Sequence, residues 1–185
     1  MRHTERCKDC KKAIHNFIEK KYGSVEREYK FKISPFAENI VANLPDLQKV
    51  YDEISNYRGY NSFVKGKSLS GVDFYIPSQK IIIEYDESQH FTIPRKISLE
   101  NYSKKIKLGF DKNEWIKRCS DFQKKDNDPI YRDEQRAWYD TIKDHLYLLI
   151  DVKPTIRIFS SELVWCSNSQ MDIKIFEEYL TSKIT

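Results

Sequence analysis

Glycine is scarce in this chain, five residues in 185, which disfavours a protein built on glycine loops. Long apolar runs are missing too. No segment approaches the roughly 20 apolar residues that a membrane span needs. The first residues, MRHTERCKDCKKAIHNF, lack the apolar run of a signal peptide. The expectation is therefore an intracellular, cytoplasmic protein without membrane association. Neither sign of charge dominates: 32 basic residues face 28 acidic ones, for a net charge of +4. That balance favours a localised basic surface over a uniformly basic protein, and it is compatible with nucleic acid without establishing it.

Cysteine and histidine are also few, four of each. In a reducing compartment Cys7, Cys10, Cys119 and Cys166 should not form lasting disulfides. Cys7-X-X-Cys10 is half a zinc site, and Cys119 with Cys166 would complete a structural Zn²⁺ shell, with His3 or His15 as substitutes. The alternative is that Cys119 and Cys166, near Trp115 and Trp165, are small buried hydrophobes.

What is present suits one globular domain over residues 1–185, with 39% apolar and 14% aromatic residues. Residues 1–23 hold the CxxC segment and a helix from Lys8 to Tyr22, with Ile14, Phe17 and Ile18 on one face and Gly23 as its stop. VEREYKFKI reads as a strand, and DLQKVYDEISNY as a helix. GVDFYIP and KIIIEYD form a hairpin, with Ile81 to Ile83 too apolar for a surface strand. Residues 91–130, rich in lysine, read as a helical insertion packed on the core, with short helices around Lys104 and Trp115. YRDEQRAWYDTIKDHL is a helix with Tyr131, Trp138 and Ile142 buried and Arg132, Arg136 and Lys143 on the other side. LYLLID and TIRIFS read as strands and DIKIFEEYLTSK as a closing helix. The class is α/β or α+β, with a mixed central sheet flanked by helices.

The hairpin carries the chemistry. Alternation along the strand puts Glu84 and Asp86 on one face, and antiparallel pairing brings Asp73 beside Glu84. Crowded carboxylates at a partly buried edge are costly unless a cation neutralises them. Their hard oxygens suit Mg²⁺ or Mn²⁺, which can polarise a phosphodiester and activate water. His90, four residues past Asp86, is placed as a proton carrier.

Asp73, a turn, Glu84-X-Asp86 and a following His90 resemble the hairpin of the PD-(D/E)XK, or restriction-endonuclease-like, nucleases. The likeness is to the branch containing the very-short-patch-repair endonucleases. YRDEQRAW, LYLLID and TIRIF fit the helix and strands that follow the hairpin in that branch. The resemblance implies a restriction-endonuclease-like sheet and a metal-dependent endonuclease of restriction, repair or defence type. Asp73 and Glu84 would bind Mg²⁺, Asp86 would position water or a second ion, and His90 would assist proton transfer. Asp86 stands where the more common pattern has a lysine. Glu19 on the first helix is the candidate for an additional acid, as in several members of the superfamily.

Arg95, Lys96, Arg132 and Arg136 are candidates for nucleic-acid phosphate contacts, alongside the lysines of SKKIKLG and QKKDN. The partner expected is DNA, with RNA not excluded, and recognition would come from a homodimer or a partner protein. NSFVKGKS, residues 61–68, misses the phosphate-binding loop pattern at Asn61. Two other classes stay open. One is a noncatalytic nucleic-acid-binding or assembly protein on a nuclease scaffold with a zinc-stapled N-terminus. The other is a small oxygenase or hydrolase using His90 with carboxylates.

Overall fold

Cys10, Ile14, Phe17 and Ile18 recur at helical spacing and form the buried stripe of α1 (Lys8–Tyr22). This computed structural model describes residues 8–167 and 169–184. The chain continues through β1 (Glu26–Tyr29), α2 (Ala37–Val41), α3 (Leu47–Arg58), β2 (Val72–Ile76) and β3 (Ile81–Asp86). Then follow α4 (Ile93–Glu100), α5 (Lys112–Phe122), α6 (Arg132–Asp144), β4 (Ile156–Phe159) and α7 (Gln170–Ile184).

The strands form a single mixed sheet in the order β1-β2-β3-β4. The β1–β2 and β2–β3 pairs are antiparallel, and β3–β4 is parallel. Every residue of β3 is buried, so it is covered on both faces, as its continuous apolar run requires. A slip of one residue would exchange Ile82 and Glu84 with Ile81 and Ile83 across the sheet, so β3 has one register.

The sheet separates two apolar layers. On one side Ile81, Ile83, Tyr85 and Phe74 pack with α1, α7 and Trp165. On the other, Ile82 and Phe159 pack with residues of α3, α4, α5 and α6, including Trp138. The Trp138 indole donates to the Pro35 carbonyl at 2.7 Å, so this large ring is buried without an orphaned N–H.

Three expectations change. LYLLID is not a strand: Leu146–Leu148 is a 3-10 turn that continues from α6. A short apolar run does not distinguish strand from buried turn, and here the Ile150 N–H donates to the Leu146 carbonyl instead of entering the sheet. The helix expected around Lys104 lies earlier, at Ile93–Glu100. Pro94 fits its first turn, and the Thr92 hydroxyl accepts from the Arg95 N–H at 3.2 Å. Finally, residues 91–130 are integral to the core, since Phe91, Leu99, Tyr102, Phe110, Trp115 and Cys119 are all in the helical layer.

Candidate active site

The register that pairs Phe74 with Ile83 carries Asp73 opposite Glu84, on the face expected of them. The Asp73 N–H donates to Glu84 Oε1 at 3.3 Å, and Asp73 Oδ2 accepts from the Tyr85 N–H at 2.8 Å. Two lysines complete the group. Lys11 Nζ, from α1, lies 2.5 Å from Asp73 Oδ1. Lys143 Nζ, from α6, lies 2.9 Å from Glu84 Oε2 and donates to the Gly71 carbonyl at 2.8 Å. Gly71 is required here, because a Cβ at this position would lie 2.6 Å from the Glu28 carbonyl oxygen. Burial pushes the Glu84 carboxyl up to about 7, with Lys143 opposing the rise and Asp73 adding to it.

Lys143 is thus not on the solvent side of α6 but buried against the hairpin. Nor is Asp86 a water-positioning group. It is 1% exposed, with Oδ1 taken by Arg157 Nη1 at 2.7 Å and Oδ2 by the Trp115 indole N–H at 2.7 Å. Both oxygens are used, so Asp86 anchors β4 and α5 to β3.

Arg157 extends this anchor into a buried ionic network. Its Nε reaches Asp144 Oδ1 at 2.7 Å and its Nη2 reaches Asp140 Oδ1 at 3.2 Å. Asp144 Oδ2 also accepts from Arg95 Nη2 and the Tyr102 hydroxyl, both at 2.8 Å. His90 closes the outer end: its Nδ1 is 3.0 Å from Asp140 Oδ2 and 3.7 Å from Asp86 Oδ1. Burial by itself would lower the histidine pKa, but Asp140 and Asp86 outweigh it and raise it. Burial would likewise raise Asp140 and Asp144, yet Arg157 with His90 holds the first below the usual carboxylate range and Arg157 with Arg95 the second.

These directions fix a pH dependence. A carboxylate with a depressed folded pKa stabilises the fold above its unfolded pKa, and that stability is lost as pH falls through the folded value. Melting temperature should therefore fall progressively as pH drops below the ordinary aspartate value of 3.8. In Asp140→Asn this acid limb should be shallower; identical limbs in melting curves from pH 5 to 2 would contradict the assignment.

The remaining sequence candidates divide. Arg95 is no phosphate contact, being 1% exposed and committed to Asp144 and Tyr102. Lys96 lies 3.9 Å from Glu100, and Arg132 donates to the Asp128 carbonyl at 3.1 Å. Arg136 is at the site's edge, donating to the Gln89 carbonyl at 3.0 Å and to Asp126 at 2.9 Å. Glu19 does not join the carboxylates. It pairs with His15 at 3.8 Å, and it lies eight positions beyond Lys11 on the helix, about 12 Å along the axis. Cys7 and His3 fall outside the described residues. Cys119 packs in the helical layer while Cys10 and Cys166 belong to the layer across the sheet, so Cys119 cannot complete a shell with them.

Among the described residues no three His, Cys, Asp or Glu side chains form a metal-holding group. The four oxygens of the adjacent Asp73 and Glu84 carboxylates are each engaged within the protein, by Lys11 and the Tyr85 N–H on Asp73 and by the Asp73 N–H and Lys143 on Glu84.

Lys11, Lys143, Arg157, Asp140 and Asp144 escaped the sequence reading. One signal was present for Arg157: in TIRIF it alternates with Ile156 and Ile158, which places a lone cation on the face shared with Glu84 and Asp86. Among the described residues no helix is long and apolar enough to cross a membrane. Neither family models, curated proteins nor solved structures gave a match to the chain.

Proposed function

We propose that the protein is a metal-dependent endonuclease that hydrolyses DNA phosphodiester bonds on a restriction-endonuclease-like sheet. The observation that carries this reading is the facing Asp73–Glu84 pair with Lys143 Nζ 2.9 Å from Glu84. An ammonium beside a metal-binding pair of carboxylates is what the hairpin lacks at Asp86, and α6 supplies it from the side.

Asp73 and Glu84 would hold Mg²⁺ or Mn²⁺. Such an ion, when bound, polarises the phosphodiester and makes water a better nucleophile. Lys143 has three N–H donors, of which the Gly71 carbonyl and Glu84 take two, leaving one to orient the attacking water. Lys11, 23% exposed on its side chain, offers positive charge to a phosphate oxygen once Asp73 turns to the ion. His90 and Arg136, each partly exposed at the rim, add positive charge along the path of the backbone. Recognition would come from a second copy of the chain or a partner protein.

The test is a cleavage assay on plasmid, single-stranded DNA and RNA with Mg²⁺ and with Mn²⁺. Asp73→Ala should lower metal-dependent nicking at least tenfold, and equal rates in variant and native protein would reject the assignment. A second reading, noncatalytic nucleic-acid binding, is favoured by one fact: Lys11 and Lys143 already neutralise the two carboxylates. Salt-sensitive DNA binding without cleavage under either metal would select it.

A further inference from the structure

A cavity of about 340 Å³ opens on the helical side of the molecule and shares no residue with the carboxylate pair. Three segments wall it: residues 43–47 between α2 and α3, residues 103–106 after α4, and residues 145–148 after α6. Leu44, Leu47, Ile106 and Leu148 make its lining mainly apolar, and its volume is at the lower end of the range for small-molecule sites.

One polar side chain in this lining is 95% buried. His145 is 5% exposed, and its Nδ1 lies 2.7 Å from the Thr141 carbonyl oxygen. A carbonyl can only accept, so Nδ1 carries the proton. Burial lowers the pKa of this histidine, which keeps the ring neutral and leaves Nε2 with a lone pair. No donor for Nε2 is present among the described residues, nor is it among the polar atoms sealed from solvent. The ring is fixed edge-on against Tyr102, with centroids 4.8 Å apart. The Lys107 N–H donates to the Tyr147 hydroxyl at 2.9 Å, which ties the chain after α4 to the segment that carries His145. An acceptor held rigidly at an apolar wall is how small-molecule sites fix a ligand's orientation.

We infer that this cavity is a binding site for a small, uncharged aromatic molecule that donates one N–H or O–H to His145 Nε2. The size suits one or two fused rings. The apolar walls cover the faces of the ring, and the histidine reads the donor. Asp46 and Lys105 contribute one charge of each sign to the lining, so it carries no excess of either.

The probes are indole and benzofuran, which have nearly the same shape and differ in that benzofuran has an ether oxygen where indole has N–H. The full chain is titrated with each up to about 5 mM, following the His145 ring resonances by NMR. Indole should shift these resonances and those of residues 103–106, and benzofuran should bind about three- to tenfold more weakly, the value of one buried hydrogen bond. In His145→Phe the two probes should bind alike, and Ile106→Trp, which fills the cavity, should abolish binding of both. Equal affinity of the native protein for both probes would overturn the inference. So would the absence of shifts around His145, or indole binding left intact by Ile106→Trp. Should His145→Phe fail to fold, the probe pair and Ile106→Trp decide the matter.

Discussion

Lys143→Met should lower metal-dependent cleavage by about 10²- to 10³-fold, the range that loss of one pre-organised hydrogen-bond donor costs. Lys143 is buried, and its ammonium donates to Glu84 and to the Gly71 carbonyl, both inside the site. Methionine keeps the length and apolar stem but removes every donor. The loss has to be separated from damage to the metal site, because Glu84 is already pushed up by burial and would rise further without its cation. Mn²⁺ binding by calorimetry makes that separation above pH 8, where the Glu84 carboxyl is more readily ionised. The variant should still bind the ion there, since the ammonium that competes for the carboxylate is gone, and still fail to cut. A variant that cuts normally would remove Lys143 from the chemistry.

Arg157→Met should destabilise the fold by about 3–5 kcal/mol, the cost typical of removing one partner from a buried ion pair. Arg157 is wholly buried and pairs with three carboxylates that are themselves at most 3% exposed. Each acid keeps another partner: Asp86 has Trp115, Asp140 has His90, and Asp144 has Arg95 and Tyr102. Those bonds place the effect within that range and not above it. For a chain of this size the loss corresponds to a fall in melting temperature of about 6–20 °C. A second change, Asp144→Asn, should recover part of it by removing one of the uncompensated charges. A melting temperature within about 2 °C of native for Arg157→Met would mean that the network contributes little.

The hairpin was legible in the sequence because its determinants are local. Ile81 to Ile83 announce a strand buried on both faces, and alternation alone assigns Glu84 to the face it occupies. The pairing of Asp73 with Glu84 then follows from a short connection. Lys11 and Lys143 were not legible, because they reach the hairpin from 62 and 59 residues away, and nothing in KDCKK or TIKDH marks which lysine will be buried. The same distance effect misassigned Arg95: beside His90 in the sequence it resembles a surface charge, but Thr92 starts a helix whose first turn points the guanidinium at Asp144. Asp86, read as positioning water or a second ion, is held instead by Arg157 and Trp115. The ammonium that does stand beside Glu84 comes from α6, as Lys143.

The end of α6 has a further consequence. Lys143 and Asp144 are the last two residues of α6 and His145 caps it, so the three side chains leave the helix end in different directions. They face, in turn, the hairpin carboxylates, the Arg95–Arg157 network and the small-molecule cavity. One turn of helix therefore works as a three-way cam: any rotation of it moves all three contacts together, and a residue gained or lost upstream would deal each side chain to a neighbour's sector. The length and phase of α6 are thus part of the site's specification, as much as the identities of the residues it carries.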